Sequence, residues 1–250
     1  MLNCQNITVT YGKTHTVLRD ISFSAHKNEI TAILGENGCG KSTLLRAMMQ
    51  ETPYKGQILL DGADLRTLSP AKRALRISLL PQHLPAPALS VLETVALGRS
   101  PHTTHLGEYD RTMITERLRE LDITHLADRR TDTLSGGERQ KAFLAMLLTQ
   151  DTPLLLLDEP TTYMDLSFTA RFFDILRGER EKGKAILLVM HDLGDALSIA
   201  DRLVIIKHGT VAFTGTPDEA LAQRIPEKLF SLQRYTAKRG EKTAYFFKGE

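Results

Sequence analysis

Cysteine is nearly missing from this chain, which carries only Cys4 and Cys39. Neither has a partner at metal-ligand spacing, which excludes a disulfide framework and a zinc site. Long apolar runs are missing too. The longest unbroken one, Ala142 to Leu148, falls far short of the roughly 20 residues that a bilayer-crossing helix needs, so a membrane role has to come through a partner. The start, Met1-Leu2-Asn3-Cys4-Gln5, lacks the basic residues and apolar core of a secretory signal, which points to the cytoplasm. A formal net charge of +2 is too small to argue for a nucleic-acid partner. Of the eight histidines only His102 and His105 are close together, and two ligands on an expected loop do not make a metal site. Internal repeats and low-complexity linkers are absent.

What is present suits a globular protein. With 250 residues the chain can bury a full core, as one large domain or one domain with a subdomain. The most informative stretch is Gly35-Glu36-Asn37-Gly38-Cys39-Gly40-Lys41-Ser42-Thr43, where the apolar run Ile30 to Leu34 stops in glycines and a helix-like segment, Ser42 to Gln50, begins. This is the G-x-x-x-x-G-K-[ST] pattern of a phosphate-binding P-loop. Its glycines tolerate positive φ and leave backbone N–H groups free to converge on phosphates. Lys41 would pair with the β- and γ-phosphates, Ser42 would hold Mg²⁺, and the helix N-terminus favours the same anion. Cys39 is either a modifiable thiol inside the loop or simply a small residue that fits it.

Either side of this loop the chain reads as an α/β protein. Asn6 to Thr10 and Val17 to Phe23 alternate like strands of a half-exposed antiparallel sheet. Tyr11, between them, suits stacking on a purine base or packing at a strand end. Gly56 to Asp61 and Ile77 to Leu80 are further strands, and Ser69-Pro70 starts a short helix. From Pro85 to Asp132 helical spacing takes over, with a capping box at Ser90-Val91-Leu92-Glu93, and the block reads as a helical subdomain, about 85–150, inserted in the core. Leu134-Ser135-Gly136-Gly137-Glu138-Arg139-Gln140 then leads into an amphipathic helix. Leu154 to Leu157 is a strand covered on both faces and ends in Asp158-Glu159-Pro160. A helix from Leu166 to Arg177, a buried strand Ala185 to Met190 ending in His191-Asp192, a helix near Leu193 to Ala200, a hairpin across His208-Gly209 and a short helix at Pro217 follow. The domain would run over 1–227. The basic tail 228–250 reads as a solvated hairpin turning at Arg239-Gly240-Glu241, with an acidic partner or lipid head groups as the alternative.

A P-loop followed by an apolar strand ending in Asp-Glu argues for Mg²⁺-dependent hydrolysis of a nucleoside triphosphate. Asp158 would hold the metal's shell and Glu159 would polarise the attacking water. With Leu134 to Gln140 added, the sequence resembles the ATP-binding subunit of an ABC transporter. The family's landmarks occur in order: aromatic Tyr11, Walker A Gly35 to Thr43, Q-loop Gln82, signature Leu134 to Glu138, Walker B Leu154 to Glu159, D-loop Thr161 to Asp165 and switch His191. The resemblance implies a P-loop NTPase core with an N-terminal antiparallel β subdomain and an inserted α-helical subdomain.

It also implies a head-to-tail homodimer that clamps two ATP molecules, each between the P-loop of one copy and Ser135, Gly136, Gly137 and Glu138 of the other. His191 would contact the γ-phosphate, Gln82 would join the Mg²⁺ shell and report to the membrane subunits, and Asp165 would line the seam. Leu97 to His102 and Glu159 to Leu166 resemble the branch importing iron–siderophore, haem and cobalamin complexes. Such subunits lie on the cytoplasmic face of the inner membrane. They dock a permease near Gln82 and meet an extracytoplasmic substrate-binding protein only indirectly. Glu36, Met164 and the basic tail depart from that branch's pattern. The competing readings are an exporter or other-substrate ATPase and a soluble ABC ATPase acting on DNA or ribosomes. The second would need a long coiled coil or two nucleotide modules, and the chain has neither.

Overall fold

A computed structural model describes residues 2–239 and 242–249. The chain divides into two compact units, one made of residues 1–65 with 177–250 and the other of 66–176.

In the first unit, β1 (Leu2–Tyr11) and β2 (His15–Ala25) pair antiparallel, from Leu2 opposite Ala25 to Tyr11 opposite His15. The strand starts earlier than alternation suggests, because the ladder shifts register between Cys4 and Ile7, where Asn6 takes a φ of 52°. This bulge brings Cys4 and Ile7, three positions apart, onto the same buried face and masks the period of two. After β3 (Glu29–Leu34) and α1 (Lys41–Met48) come β4 (Lys55–Leu60) and β5 (Ala63–Asp64). They turn at Asp61-Gly62, both in the left-handed region that a two-residue hairpin requires. β2, β1, β4 and β5 form one antiparallel sheet in that order.

The second unit opens with α2 (Pro70–Ala74), whose N-cap Ser69 accepts from the Lys72 N–H, and β6 (Ile77–Leu80). Three helices follow: α3 (Val91–Ala96), α4 (Glu108–Glu120) and α5 (Gly136–Thr149). The expected capping box at Ser90 and Glu93 starts α3. Phe143, Leu144, Leu147 and Leu148 of α5 are buried, as their spacing predicts. The stretch 97–102 grips the end of α5. Gly98 leaves no room for a Cβ, which would fall 2.3 Å from the Met146 carbonyl oxygen. Arg99, buried, donates to Asp110 at 2.7 Å and to the Thr149 carbonyl at 3.1 Å, and His102 Nε2 lies 2.7 Å from the Gln150 carbonyl oxygen. β7 (Leu154–Asp158) runs parallel to β6, with Ile77 opposite Leu154 and Leu80 opposite Leu157. Its four leucines are all buried, so truncating one to alanine costs about 2–5 kcal/mol. α6 (Leu166–Glu181) buries Phe168, Phe172, Ile175 and Leu176, and Phe173 as well.

Back in the first unit, β8 (Ala185–Val189) lies parallel to β3 on one side. After α7 (Leu193–Ile199), β9 (Arg202–Lys207) lies parallel to β3 on the other. β10 (Thr210–Gly215) folds back on β9 through His208-Gly209, both at positive φ. The sequence predicts one short helix after Pro217, and two are present, α8 (Pro217–Ala222) and α9 (Ile225–Phe230). α9 is too short to show a helical period. β11 (Leu232–Arg239) and β12 (Lys242–Gly249) then pair antiparallel, while Gly240 and Glu241 of the expected turn lie outside the described residues. Arg234 of the tail is not merely solvated. It donates to the Leu221 carbonyl at 2.9 Å and pairs with Glu227 at 3.3 Å, tying the hairpin to α8 and α9.

Candidate nucleotide-binding and hydrolysis site

The apolar strand β3 ends at Leu34, and the chain turns at once into the glycine-rich loop. Gly35 has no space for a side chain, since a Cβ would lie 2.3 Å from the Ile206 carbonyl oxygen and 2.6 Å from Cys39 Sγ. Gly38 and Gly40 sit at φ 78° and 106°, the left-handed region, as a loop turning its N–H groups inward demands. Gly40 is the N-cap of α1, and no side chain caps that helix, so its first-turn N–H groups are not taken by one. Lys41 is buried and folds over the loop, donating to the carbonyls of Gly35 at 2.7 Å and Glu36 at 3.1 Å. Its ammonium thus lies against the loop backbone at Gly35 and Glu36; Asn37, Gly38, Cys39 and Gly40 complete the loop, and Ser42 and Thr43 stand in the first turn of α1. Cys39 is buried, and desolvation raises its thiol pKa more than the Lys41 charge lowers it. Of the two readings of this residue, the small residue that fits the loop is the one this environment favours.

Tyr11 closes β1 beside the same loop. The residue is 41% exposed, and its phenol pKa is lowered by hydrogen bonds to Thr43 and Thr52, with the Arg46 charge adding to the effect. The hydroxyl is held while the residue stays partly in solvent, so this environment accommodates both the stacking and the packing reading. His191 follows β8 as the P-loop follows β3. With Ile33 opposite Val189 and the Met190 N–H donating to the Ile33 carbonyl at 3.1 Å, Gly35 and His191 leave the carboxyl ends of neighbouring parallel strands at the same level. That edge is where open parallel sheets hold ligands.

The remaining candidates belong to the second unit. Asp158 is the last residue of β7 and is buried. Glu159 turns off the strand with φ 52°, an uncommon backbone for a side-chain-bearing residue, and its carbonyl accepts from Thr162 Oγ1 at 2.9 Å. Its carboxylate accepts from Gln82 Nε2 at 2.7 Å, so the Q-loop and Walker B residues are in direct contact. Ser135 is the N-cap of α5. Its Oγ donates to Glu138 at 2.8 Å and accepts the Glu138 N–H at 3.3 Å, while its own N–H donates to that carboxylate at 2.9 Å. These bonds to Ser135 hold the Glu138 carboxyl below the usual range. Asp165 caps α6 in the same manner, accepting from Ser167 Oγ at 2.6 Å and the Phe168 N–H at 2.8 Å, with its pKa lowered chiefly by Ser167. Glu138 and Asp165 therefore have structural work as helix caps, whatever they contribute to nucleotide.

Two residues outside the sequence candidates join these parts. Gln140, 1% exposed on an otherwise apolar face of α5, donates through Nε2 to the Pro160 carbonyl at 2.9 Å. Tyr163 lies over the signature glycines: a Cβ on Gly136 would meet its ring at 3.3 Å, and one on Gly137 its carbonyl oxygen at 2.9 Å. The signal for Gln140 was legible as a polar residue where periodicity calls for an apolar one. Tyr163 carried none. His102, one of the close histidine pair, is engaged with the Gln150 carbonyl oxygen at 2.7 Å.

Residues 18–162 match the model of the family described as ABC transporter. The ferric enterobactin transport ATP-binding protein FepC of Escherichia coli strain K12 is 39% identical over 93% of this chain and 88% of its own length. The hemin import ATP-binding protein HmuV of Nocardia farcinica is also 39% identical, over 88% of this chain and 77% of its own. A solved ABC transporter assigned to the metal-chelate type, in an inward-facing conformation, superposes with a TM-score of 0.81 at 27% identity, covering 98% of this chain and 96% of that one. With the P-loop, the signature and Asp158-Glu159 in the positions described, the chain belongs to the ABC transporter family, as an ATP-binding and ATP-hydrolysing subunit.

Proposed function

We propose that this subunit powers import of a metal chelate, an iron–siderophore, haem or cobalamin complex, through a separate permease. The observation that carries the substrate class is the 39% identity, over most of each chain, to ATP-binding proteins named for ferric enterobactin transport and hemin import. Gly35 to Thr43 bind the phosphates, Lys41 pairs with the β- and γ-phosphates, and Tyr11 lies under the base. Glu159 polarises the attacking water, while His191 contacts the γ-phosphate. The donors for Mg²⁺ would be the Ser42 hydroxyl, the Asp158 carboxylate and the Gln82 amide oxygen, all hard oxygens of the kind that ion selects. Gln82 fits this assignment because its nitrogen is the atom turned to Glu159. Bound there, the ion supplies neutralisation of phosphate charge.

Ser135, Gly136 and Gly137 engage the γ-phosphate of a second copy, so the working form is a head-to-tail homodimer. The start of α5 supports this role, because N–H groups at a helix N-terminus attract phosphate. ATP then acts as the ligand that favours the closed dimer, and hydrolysis releases it. The permease docks near Gln82 on the cytoplasmic face of the membrane, and the substrate-binding protein acts from the other side. No helix among the described residues is long and apolar enough to cross a membrane. The test is purification of the chain with its membrane partner, reconstitution in vesicles, and ATP-driven uptake of ferric siderophore, haem and cobalamin. Uptake of one of them supports the proposal. A nucleic-acid or ribosomal partner, or ATP-driven export, overturns it.

A further inference from the structure

Gln140 joins two parts of the second unit that serve different nucleotides in the proposed dimer. It lies in the second turn of α5, the helix whose first turn is the signature. Its side chain is 1% exposed, and Nε2 donates over 2.9 Å to the carbonyl of Pro160, the residue after Glu159. A buried amide is costly unless its bonds are made, and Oε1 of this one has no hydrogen-bond partner. An apolar residue would serve better if packing alone were required of this position. The same helix start and the same loop touch once more, where Tyr163 lies against Gly136 and Gly137 with no slack for a methyl group at Gly137. Immediately before these contacts in the chain, Glu159 takes a φ of 52°. A displacement of the signature turn therefore reaches the loop that follows Glu159 at two points, through a hydrogen bond at the Pro160 carbonyl and a backbone contact at Tyr163.

We infer that Gln140 is a positioning residue that couples the two ATP sites of the dimer. This rests on the head-to-tail reading above, in which the signature of one subunit engages the partner's ATP while its Glu159 acts on its own. Engagement of the signature by the partner's γ-phosphate shifts the start of α5. Gln140 passes that shift to Pro160 and sets the Glu159 carboxylate for its own site. The device gives positive cooperativity between sites without either ATP touching Gln140.

The test compares wild type with Gln140→Met, which keeps length and apolar bulk but removes the donor, and Gln140→Glu, which keeps shape but cannot donate when ionised. Measured in the full transporter, the expected result is ATP affinity unchanged within about twofold, turnover reduced roughly tenfold or more, and a Hill coefficient falling from near 2 towards about 1. In a Glu159→Gln background, Gln140→Met should still form the ATP-bound dimer. That separates loss of coupling from loss of fold or of nucleotide. A cooperative wild type with unchanged turnover and Hill coefficient in both variants overturns the inference, as does a loss of turnover matched by equal losses of ATP binding and thermal stability. If the wild type itself shows no cooperativity and Glu159→Gln gives no ATP-dependent dimer, the head-to-tail reading fails and the coupling falls with it.

Discussion

Gln82 Nε2 donates to Glu159 Oε2 over 2.7 Å, so the residue expected to report to the permease holds the carboxylate expected to polarise water. The bond lies at the end of β7, where the backbone of Glu159 has left the strand at positive φ. A shift of Gln82 thus acts directly on the Glu159 carboxylate, with no intermediate residue.

Glu159→Gln should keep ATP binding but slow turnover by about 10² or more, because the amide fills the same space and accepts no proton. The variant should accumulate as an ATP-bound dimer, visible by size-exclusion chromatography with light scattering. Steady-state hydrolysis at the wild-type rate would remove Glu159 from the role of base.

Tyr11 offers a ring face and a tethered hydroxyl, and the two can be separated. Tyr11→Ala should weaken ATP by about 1–3 kcal/mol and inorganic triphosphate hardly at all, whereas Tyr11→Phe should retain most of the ATP affinity. Titration calorimetry with both ligands reads the difference. Equal losses for ATP and triphosphate would show that the ring does not stack on the base.

The carboxylate of Glu138 completes the capping box of Ser135. Glu138→Gln preserves an acceptor of the same length and should leave stability and ATP-dependent dimerisation close to wild type. Glu138→Ala loses the acceptor while Ser135 still caps the helix, and should cost about 0.3–1 kcal/mol in denaturant melts. A Glu138→Gln variant that folds normally yet fails to dimerise would instead give the carboxylate a direct part in nucleotide contact.

Arg99 holds the Asp110 carboxyl below its usual pKa, helped by the Gly107 N–H. A carboxyl whose folded pKa is depressed stabilises the fold fully above its unfolded value, near about 3.9, and loses that contribution as pH falls through the folded value. Asp110→Asn should therefore lower the melting temperature at neutral pH, and the gap to wild type should close as the pH drops below about 4. A gap independent of pH would mean that the Arg99–Asp110 contact acts through packing and not through charge.

Much of the fold was legible because its signals are local. The two hairpin turns, at Asp61-Gly62 and His208-Gly209, need left-handed backbone and use residues that take it readily. The caps at Ser69, Ser90 and Ser135 satisfy N–H groups within four residues of themselves. Less legible was β1, whose bulge at Asn6 breaks the alternation that betrays a strand, and α9, too brief to display a period. The tail's charge pattern suggested a solvated surface, yet Arg234 is spent on Leu221 and Glu227, partners that only the folded chain brings within reach.

Residue order by itself determined the P-loop, the strand that feeds it, the Asp158-Glu159 pair and the helix that starts at the signature, because each depends on neighbours within about one turn or strand. The tertiary structure alone decided that Gln82 bonds to Glu159 across 77 positions and that Gln140 reaches Pro160 across 20. A side-chain hydrogen bond has a range of about 3 Å and no periodicity, so it leaves no pattern along the chain until folding brings its two ends together.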